Sequence, residues 1–148
     1  MNIKKISAYT INSIWAIPLV LLIRVIRPLL LIKFIKLDHG RIGHFVADSF
    51  QLINLSKQGK LKFYPLIWFE EPAANEYWST FVKRNLSIKQ WTKLLYHWNI
   101  KIPGGKVHLF SHFLDEVGSA RDWQGNLENS TFRLSFTEKE NKEGKKWL

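Results

Sequence analysis

The stretch from residue 29 to residue 55 constrains the fold most, because three different patterns follow one another there. Residues 29–37 (LLLIKFIKL) are short, apolar and aliphatic, which predicts a largely buried strand. Residues 38–44 contain two glycines and read as a loop, and Val46, Phe50 and Ile53 then recur at helical spacing. A strand, a glycine loop and a helix in this order predict the opening of an α/β domain.

The middle of the chain continues this alternation. Residues 61–69 predict a second strand, in which Pro65 favours an edge position or a bulge. Residues 73–84 predict a helix with an apolar face. Ser87 and Gln90 match a capping box and predict a further helix, which the Pro-Gly-Gly sequence at 103–105 ends. Its apolar stripe comprises Ile88, Trp91, Leu94, Leu95 and Trp98.

The last part of the chain is more polar. Residues 107–114 are ambiguous between strand and helix, residues 118–130 read as a loop, and residues 131–136 predict a short strand. Thr137 and Glu140 then form a second capping-box pattern, which starts a highly charged helix over residues 138–148.

The N-terminal part combines apolar sequence with basic side chains. Residues 1–37 contain no acid and six basic residues, Lys4, Lys5, Arg24, Arg27, Lys33 and Lys36. The apolar run 11–23 is 13 residues long, whereas spanning a bilayer takes about 20. Extending the run would bury two arginines, at about 2.5–3.5 kcal/mol each near the bilayer centre. We therefore expect a helix lying in the membrane interface, with Trp15 as an anchor. A signal peptide without a cleavage site and a plain buried helix are the alternatives.

Composition narrows the function classes. The chain has no Cys, which excludes disulfides and a thiol nucleophile, and its seven Trp are unlike a disordered protein. The formal net charge is +10. Because the cations near the N-terminus lie within apolar sequence, they favour an anionic membrane surface over nucleic acid as the partner.

The segment 26–45, IRPLLLIKFIKLDHGRIGHF, resembles the start of a family of bacterial glycosyltransferases from surface-polysaccharide gene clusters. Members typically have a hydrophobic segment, an arginine-proline strand and an arginine-isoleucine-glycine-histidine loop. Weaker matches follow in the same order, and the resemblance covers roughly residues 25–148. They are Pro72 to Asn75, Arg121-Asp122, the sequence LSFT at 134–137 and Gly144.

The resemblance implies an α/β fold like that of GT-B enzymes, which pair two Rossmann-like domains. This chain would supply an incomplete Rossmann-like domain of the GT-B N-terminal type, preceded by a membrane-associated apolar helix. The implied organisation is a membrane-associated apolar and basic helix at 1–28, an α/β acceptor-side domain at 29–136, and a charged helix at 137–148 that leads to a C-terminal donor domain. We expect no cofactor on this chain itself, a nucleotide-sugar donor for the complete enzyme, and no transfer by the isolated chain.

Five residues are candidates for the site. His44 follows the first strand and suits a general base near neutral pH, although it could instead hold the start of the helix. Arg41 could bind a phosphate or carboxylate, or equally a lipid headgroup or a surface acid. Gly43 would let the backbone turn or approach a ligand. The resemblance adds Asn75 and Asp122 as substrate-binding residues.

Other residues have simpler explanations. His108 and His112 are four residues apart with Asp115 nearby, but no His-Glu-x-x-His motif accompanies them, so no metal site is expected. Glu70 and Glu71 are predicted to lie in a solvated turn beside Pro72 rather than to act as acid and base. Trp123 is a weak candidate for stacking on a sugar.

Together with the apolar and basic N-terminal segment, the resemblance implies glycosyl transfer in surface-polysaccharide assembly, at the cytoplasmic face of the inner membrane, to a lipid-linked or membrane-proximal glycan acceptor. The association with the membrane would be peripheral or monotopic. A non-catalytic membrane-associated module, or one half of a split enzyme, is the alternative. A small basic nucleic-acid-binding protein is the third candidate, and it would require cations on one folded face together with exposed aromatic rings.

Overall fold

The computed structural model describes residues 3–110, 125, 128, 130 and 133–146, with side chains described from Ile14 onward. The elements within these residues make a mixed α/β structure with five α-helices and two parallel strands. They are α1 (Ile3–Val25), β1 (Ile32–Lys36), α2 (Ile42–Lys57), β2 (Tyr64–Trp68), α3 (Glu76–Asn85), α4 (Thr92–Lys101), a 3-10 turn (Gly105–His108) and α5 (Glu138–Gly144).

The sheet is parallel, and α2 makes the crossover between its two strands. The register runs from Ile32 opposite Tyr64 to Lys36 opposite Trp68. Single parallel bridges extend the sheet on both sides, Leu109 beside β1 and Ile88 beside β2. The order across the sheet is therefore Leu109, β1, β2, Ile88. The chain moves outward from β1 to Ile88 and then returns to the other side of β1.

The pleat of the strands separates two apolar cores, because successive side chains point to opposite faces. One face packs against α2 and α3, and its buried strand residues include Ile35 and Ile67. The other face packs against α1 and α4 through Ile32 and Phe34. The sheet is thus covered by helices on both faces, which is the usual environment of parallel strands.

Helix α1 is held to α4 by apolar packing and by one arginine. Ala16, Val20 and Ile23 lie at i, i+4 and i+7, and all are buried. The Arg24 guanidinium donates to the side chain and carbonyl of Asn99 at 2.9–3.1 Å, and to two carbonyls beyond α4. Those carbonyls are Ile102 O at 2.8 Å and Pro103 O at 2.6 Å.

The expectation that Arg24 faces a lipid surface is therefore wrong. Its cation satisfies carbonyl groups at the C-terminal end of α4, where the helix leaves them without partners. Gly105 allows this close packing, because a Cβ atom there would lie 2.3 Å from Arg24 Nη2 and 2.4 Å from Asn99 O.

The opposite face of α1 is apolar and exposed. Its residues are Ile14, Trp15, Leu21, Leu22 and Val25, and we call this set the outer face of α1. The exposed fraction of these residues ranges from 40% for Trp15 to 75% for Val25. Within the described part of the chain, no helix combines the length and apolarity that crossing a membrane requires.

Two local predictions were wrong, the cap of the helix after Ser87 and the strand at 131–136. The capping box at Ser87 and Gln90 does not form, and α4 begins at Thr92. Ile88 instead bridges to Ile67, which keeps the backbone extended, and Gln90 donates to Phe69 O at 3.1 Å. The strand predicted at 131–136 is also wrong where it can be assessed. Residues 133–136 are irregular, and their described contacts include the bond from Arg84 to Ser135 O.

Boundaries shifted elsewhere. The first strand starts at Ile32 rather than at residue 29, because the chain is still turning out of α1 and Leu29 is 91% exposed. The predicted loop 38–44 ends earlier, since α2 begins at Ile42. The capping box of Thr137 and Glu140 is confirmed, and it starts α5 as predicted.

Candidate functional site

The carboxyl ends of β1 and β2 carry the two loops of the candidate site. Leu37 N–H donates to Trp68 O at 3.1 Å, which carries the strand pairing one residue further. Ala74 N–H donates to His39 O at 2.8 Å and ties the loop after β2 to the loop after β1. Both loops therefore form a single surface at this edge of the sheet.

The start of α2 contains three of the predicted site residues. Arg41 is the N-cap residue, is exposed and has an extended backbone (φ −125°, ψ 116°), and its side chain makes no capping bond. Gly43 and the half-buried His44 lie in the first turn of the helix rather than in a loop. No acidic side chain lies in that turn, so the partial positive charge of the helix end is not offset there.

Gly43 does not lie in a backbone turn. Its backbone lies outside the left-handed region, and a Cβ atom there would meet nothing within 4 Å. The prediction that this glycine permits a backbone turn is therefore wrong, since the position is an ordinary helical one. What the glycine provides is open space beside Arg41 and His44.

Asn75 has a structural role that the sequence did not predict. It is the N-cap of α3, and its Oδ1 accepts a hydrogen bond from Trp78 N–H at 2.8 Å. Asn75 and Ile42 also line one apolar groove of about 610 Å³. The fold thus brings Asn75 close to the start of α2, whereas Asp122 lies outside the described residues, as does Trp123.

A charged cluster at the same edge was missed from the sequence. It comprises Lys36 at the end of β1, Trp68 at the end of β2, Glu70 in the loop after β2, and Lys93 and His97 on α4. Lys93 Nζ lies 2.5 Å from Glu70 Oε1, and this hydrogen bond and charge lower the pKa of Glu70. Burial, followed by the charge of Lys93, lowers the pKa of His97. No local motif marks this cluster, because its members come from three separate stretches of the sequence.

The acidic pair after β2 behaves as predicted. Glu70 bonds to Lys93, and Glu71 pairs with Lys83 of α3. Both carboxylates are about half exposed, at 47% and 54%. The solvated turn predicted beside Pro72 is confirmed.

His108 is buried, with its Nδ1 2.8 Å from Ile32 O. A carbonyl can only accept, so Nδ1 carries the proton. Burial lowers the pKa of this imidazole. His112 and Asp115 lie outside the described residues, and no group of three metal-binding side chains is found within the described ones.

Comparison with known proteins gives no further guide to this surface. No protein-family model, curated protein or solved structure matches the chain.

Proposed function

We propose that this protein is the acceptor-side, Rossmann-like part of a glycosyltransferase that acts in surface-polysaccharide assembly. The observation that carries the proposal is the order Leu109, β1, β2, Ile88, in which the chain reverses direction across the sheet beside β1. In open α/β sheets, ligands bind at the carboxyl ends of the strands where such a reversal occurs.

The loop after β1 leads directly from this reversal to Arg41 and His44. A neutral imidazole at His44 would accept the proton of an acceptor hydroxyl as that oxygen attacks the anomeric carbon of the sugar. The bond from the anomeric carbon to the donor phosphate would break as the new glycosidic bond forms. Arg41 is exposed and can fork onto a phosphate or carboxylate of the acceptor.

The outer face of α1 supports a position on a membrane surface. Helix α1 is apolar on the face that packs against α4 and also on its exposed outer face. We expect both faces of such a helix to lie against an apolar environment. We propose that the interfacial region of the inner membrane, on its cytoplasmic side, provides this cover. The acceptor would then be lipid-linked or held close to the bilayer.

Two other functions remain alternatives. A non-catalytic membrane module would account for the outer face of α1 but leaves Arg41 and His44 without a role. A nucleic-acid-binding function would need exposed rings among the cations. Trp68, the ring between Lys36 and Lys93, is 1% exposed and has no free face for a base.

The test is genetic complementation in the producing bacterium, because the cell supplies the donor and any partner. Deleting the gene should reduce surface polysaccharide, and the wild-type gene should restore it. His44→Gln should fail to restore it, with sugar transfer in isolated membranes lower by about 10²–10⁴-fold, the usual worth of a positioned base. Lys60→Met, which changes an exposed residue at the opposite edge of the sheet, serves as the control.

The variants must first be compared by thermal unfolding. If His44→Gln folds normally and restores full transfer, the base lies elsewhere. If it unfolds the protein, the histidine holds the helix start. A deletion that leaves surface polysaccharide unchanged would reject glycosyl transfer and favour the non-catalytic module.

A further inference from the structure

A second set of polar groups meets on the α4 side of the same sheet edge. Lys36 and Trp68 are the last residues of β1 and β2, and they lie opposite each other in the register. Lys93 and His97 are one turn apart on α4, so they project from the same side of that helix. The His97 ring lies 5.9 Å from the Trp68 ring. Two strands and one helix thus bring the four side chains together.

Positive charges outnumber negative ones around the Trp68 ring. Lys36 Nζ lies 5.5 Å from the centre of the Trp68 ring, and Lys93 Nζ lies 5.7 Å from the same centre. The Glu70 carboxylate bonds to Lys93, so one carboxylate accompanies two ammonium groups. Burial lowers the pKa of His97 most, and the charges of Lys93, Lys101 and Lys36 lower it further. A compact anion would relieve this repulsion.

Hydrogen-bond donors accompany the charge. Each ammonium group has three donors, and Lys93 uses one of them on Glu70. A neutral His97 can present a ring N–H. These groups can donate several hydrogen bonds to one multivalent acceptor.

We propose that Lys36, Lys93 and His97 form a binding site for the phosphate group of a ligand. A phosphate is compact, carries up to two charges and accepts several hydrogen bonds, and lysine binds it well as a point charge. The site is separate from Arg41 and His44, and it does not depend on glycosyl transfer.

The phosphate has two possible sources, a membrane lipid headgroup and a soluble phosphorylated molecule. Helix α1, whose outer face is exposed, belongs to the same layer as α4. Both sources present the same chemistry to the lysines, so the experiment needs one arm for each.

The first arm measures binding of inorganic pyrophosphate to the purified protein by titration calorimetry. We expect one site per chain, weakened about tenfold (about 1.4 kcal/mol) by Lys36→Met and by Lys93→Met, because each variant removes a charged hydrogen-bond donor. Lys36→Arg should retain binding. Lys60→Met removes the same charge at the opposite edge of the sheet and should have little effect.

The second arm measures co-sedimentation with phosphatidylglycerol vesicles and with phosphatidylcholine vesicles. If Lys36→Met and Lys93→Met selectively weaken binding to phosphatidylglycerol while pyrophosphate does not bind, the phosphate comes from a lipid and the site is supported. If all three Met variants weaken binding equally in both arms, the attraction is diffuse and the proposal is wrong. It is also wrong if neither probe binds, because Trp68 and Glu70 would then suffice as partners of the lysines.

Discussion

At the scale of single residues, Arg24 shows how a side chain's role depends on its neighbours. In the sequence it belongs to a set of cations in apolar surroundings, whereas in the structure it binds groups 75 to 79 positions away. The guanidinium fits this place because its fixed fork of five donors can serve several acceptors at once.

Replacing Arg24 therefore tests the packing of α1. Arg24→Met should lower the free energy of unfolding by about 2–3 kcal/mol, because the part-buried carbonyls of Asn99 and Ile102 lose their partner. Arg24→Lys should recover only part of this loss, since an ammonium group cannot reproduce the fork. Urea unfolding followed by circular dichroism measures both variants. Arg27→Met, at an exposed position, is the control, and an equal loss there would contradict the role given to Arg24.

At the scale of elements, α1 has two apolar faces with different partners. The face of Ala16, Val20 and Ile23 is buried against α4, whereas the residues of the outer face are 40% to 75% exposed. The sequence shows an apolar segment of limited length, but it does not show which face packs. That choice depends on where α4 lies.

Substitutions on the two faces of α1 should have opposite effects. Leu22→Gln combined with Val25→Gln should weaken binding to phosphatidylglycerol vesicles about tenfold or more, since two exposed side chains lose their burial in lipid. Stability should change by less than about 1 kcal/mol. Val20→Ala should lower stability by about 1–3 kcal/mol and leave vesicle binding of the folded protein unchanged. Co-sedimentation and thermal unfolding separate the two effects, and unchanged vesicle binding in the double variant would refute the membrane role of α1.

Helix α5 is the element for which local sequence and structure agree best. The Glu140 carboxylate accepts from Thr137 N–H at 2.6 Å and from Arg84 Nη1 at 3.0 Å. These bonds, with that of Thr137 first, lower the pKa of Glu140 to about 2. The capping box is a local pattern, whereas the bond to Arg84 of α3 is a tertiary contact.

The cap should therefore resist acid. Because the pKa of Glu140 is lower in the folded protein, its contribution to stability is present above the unfolded value of about 4.3 and is lost as pH falls toward 2. A ¹³C NMR titration should place the Glu140 carboxyl midpoint near 2 in the folded protein and near the ordinary value in urea. Arg84→Met should raise the folded midpoint. A folded midpoint equal to that in urea would mean that the capping contacts do not persist in solution.

At the scale of the whole molecule, His108 joins the last bridge of the sheet to its first strand. It lies just before Leu109, and its ring bonds to Ile32 O inside the core. Burial lowers its pKa, so the imidazole gains a proton more easily when the chain unfolds than in the folded protein. The stability of the folded protein, and of the sheet beside β1 in particular, should therefore fall as the pH falls.

The direction in which His108 makes stability depend on pH can be tested directly. The contribution of His108 to stability is complete above the unfolded pKa of about 6.5 and declines as pH falls below it, by at most about 1.4 kcal/mol per pH unit for one proton. His108→Gln should show a smaller decline between pH 6.5 and 5 in urea unfolding. His97→Gln is the comparison, because the pKa of that more exposed ring is also lowered and its share of the decline must be measured separately. An identical decline in wild type and His108→Gln would contradict the assignment.

The sequence alone determined the alternation of strands and helices that opens the α/β domain, and the cap of α5, because periodicity and capping depend on residues a few positions apart. It also placed Arg41 and His44 after the first strand. Only the tertiary structure decided that Ile88 joins the sheet instead of a helix, that Arg24 is an internal partner, and that Lys36 meets Lys93 and His97. These outcomes depend on contacts between distant segments, and the energy of such contacts can exceed the small local preferences that a sequence pattern expresses.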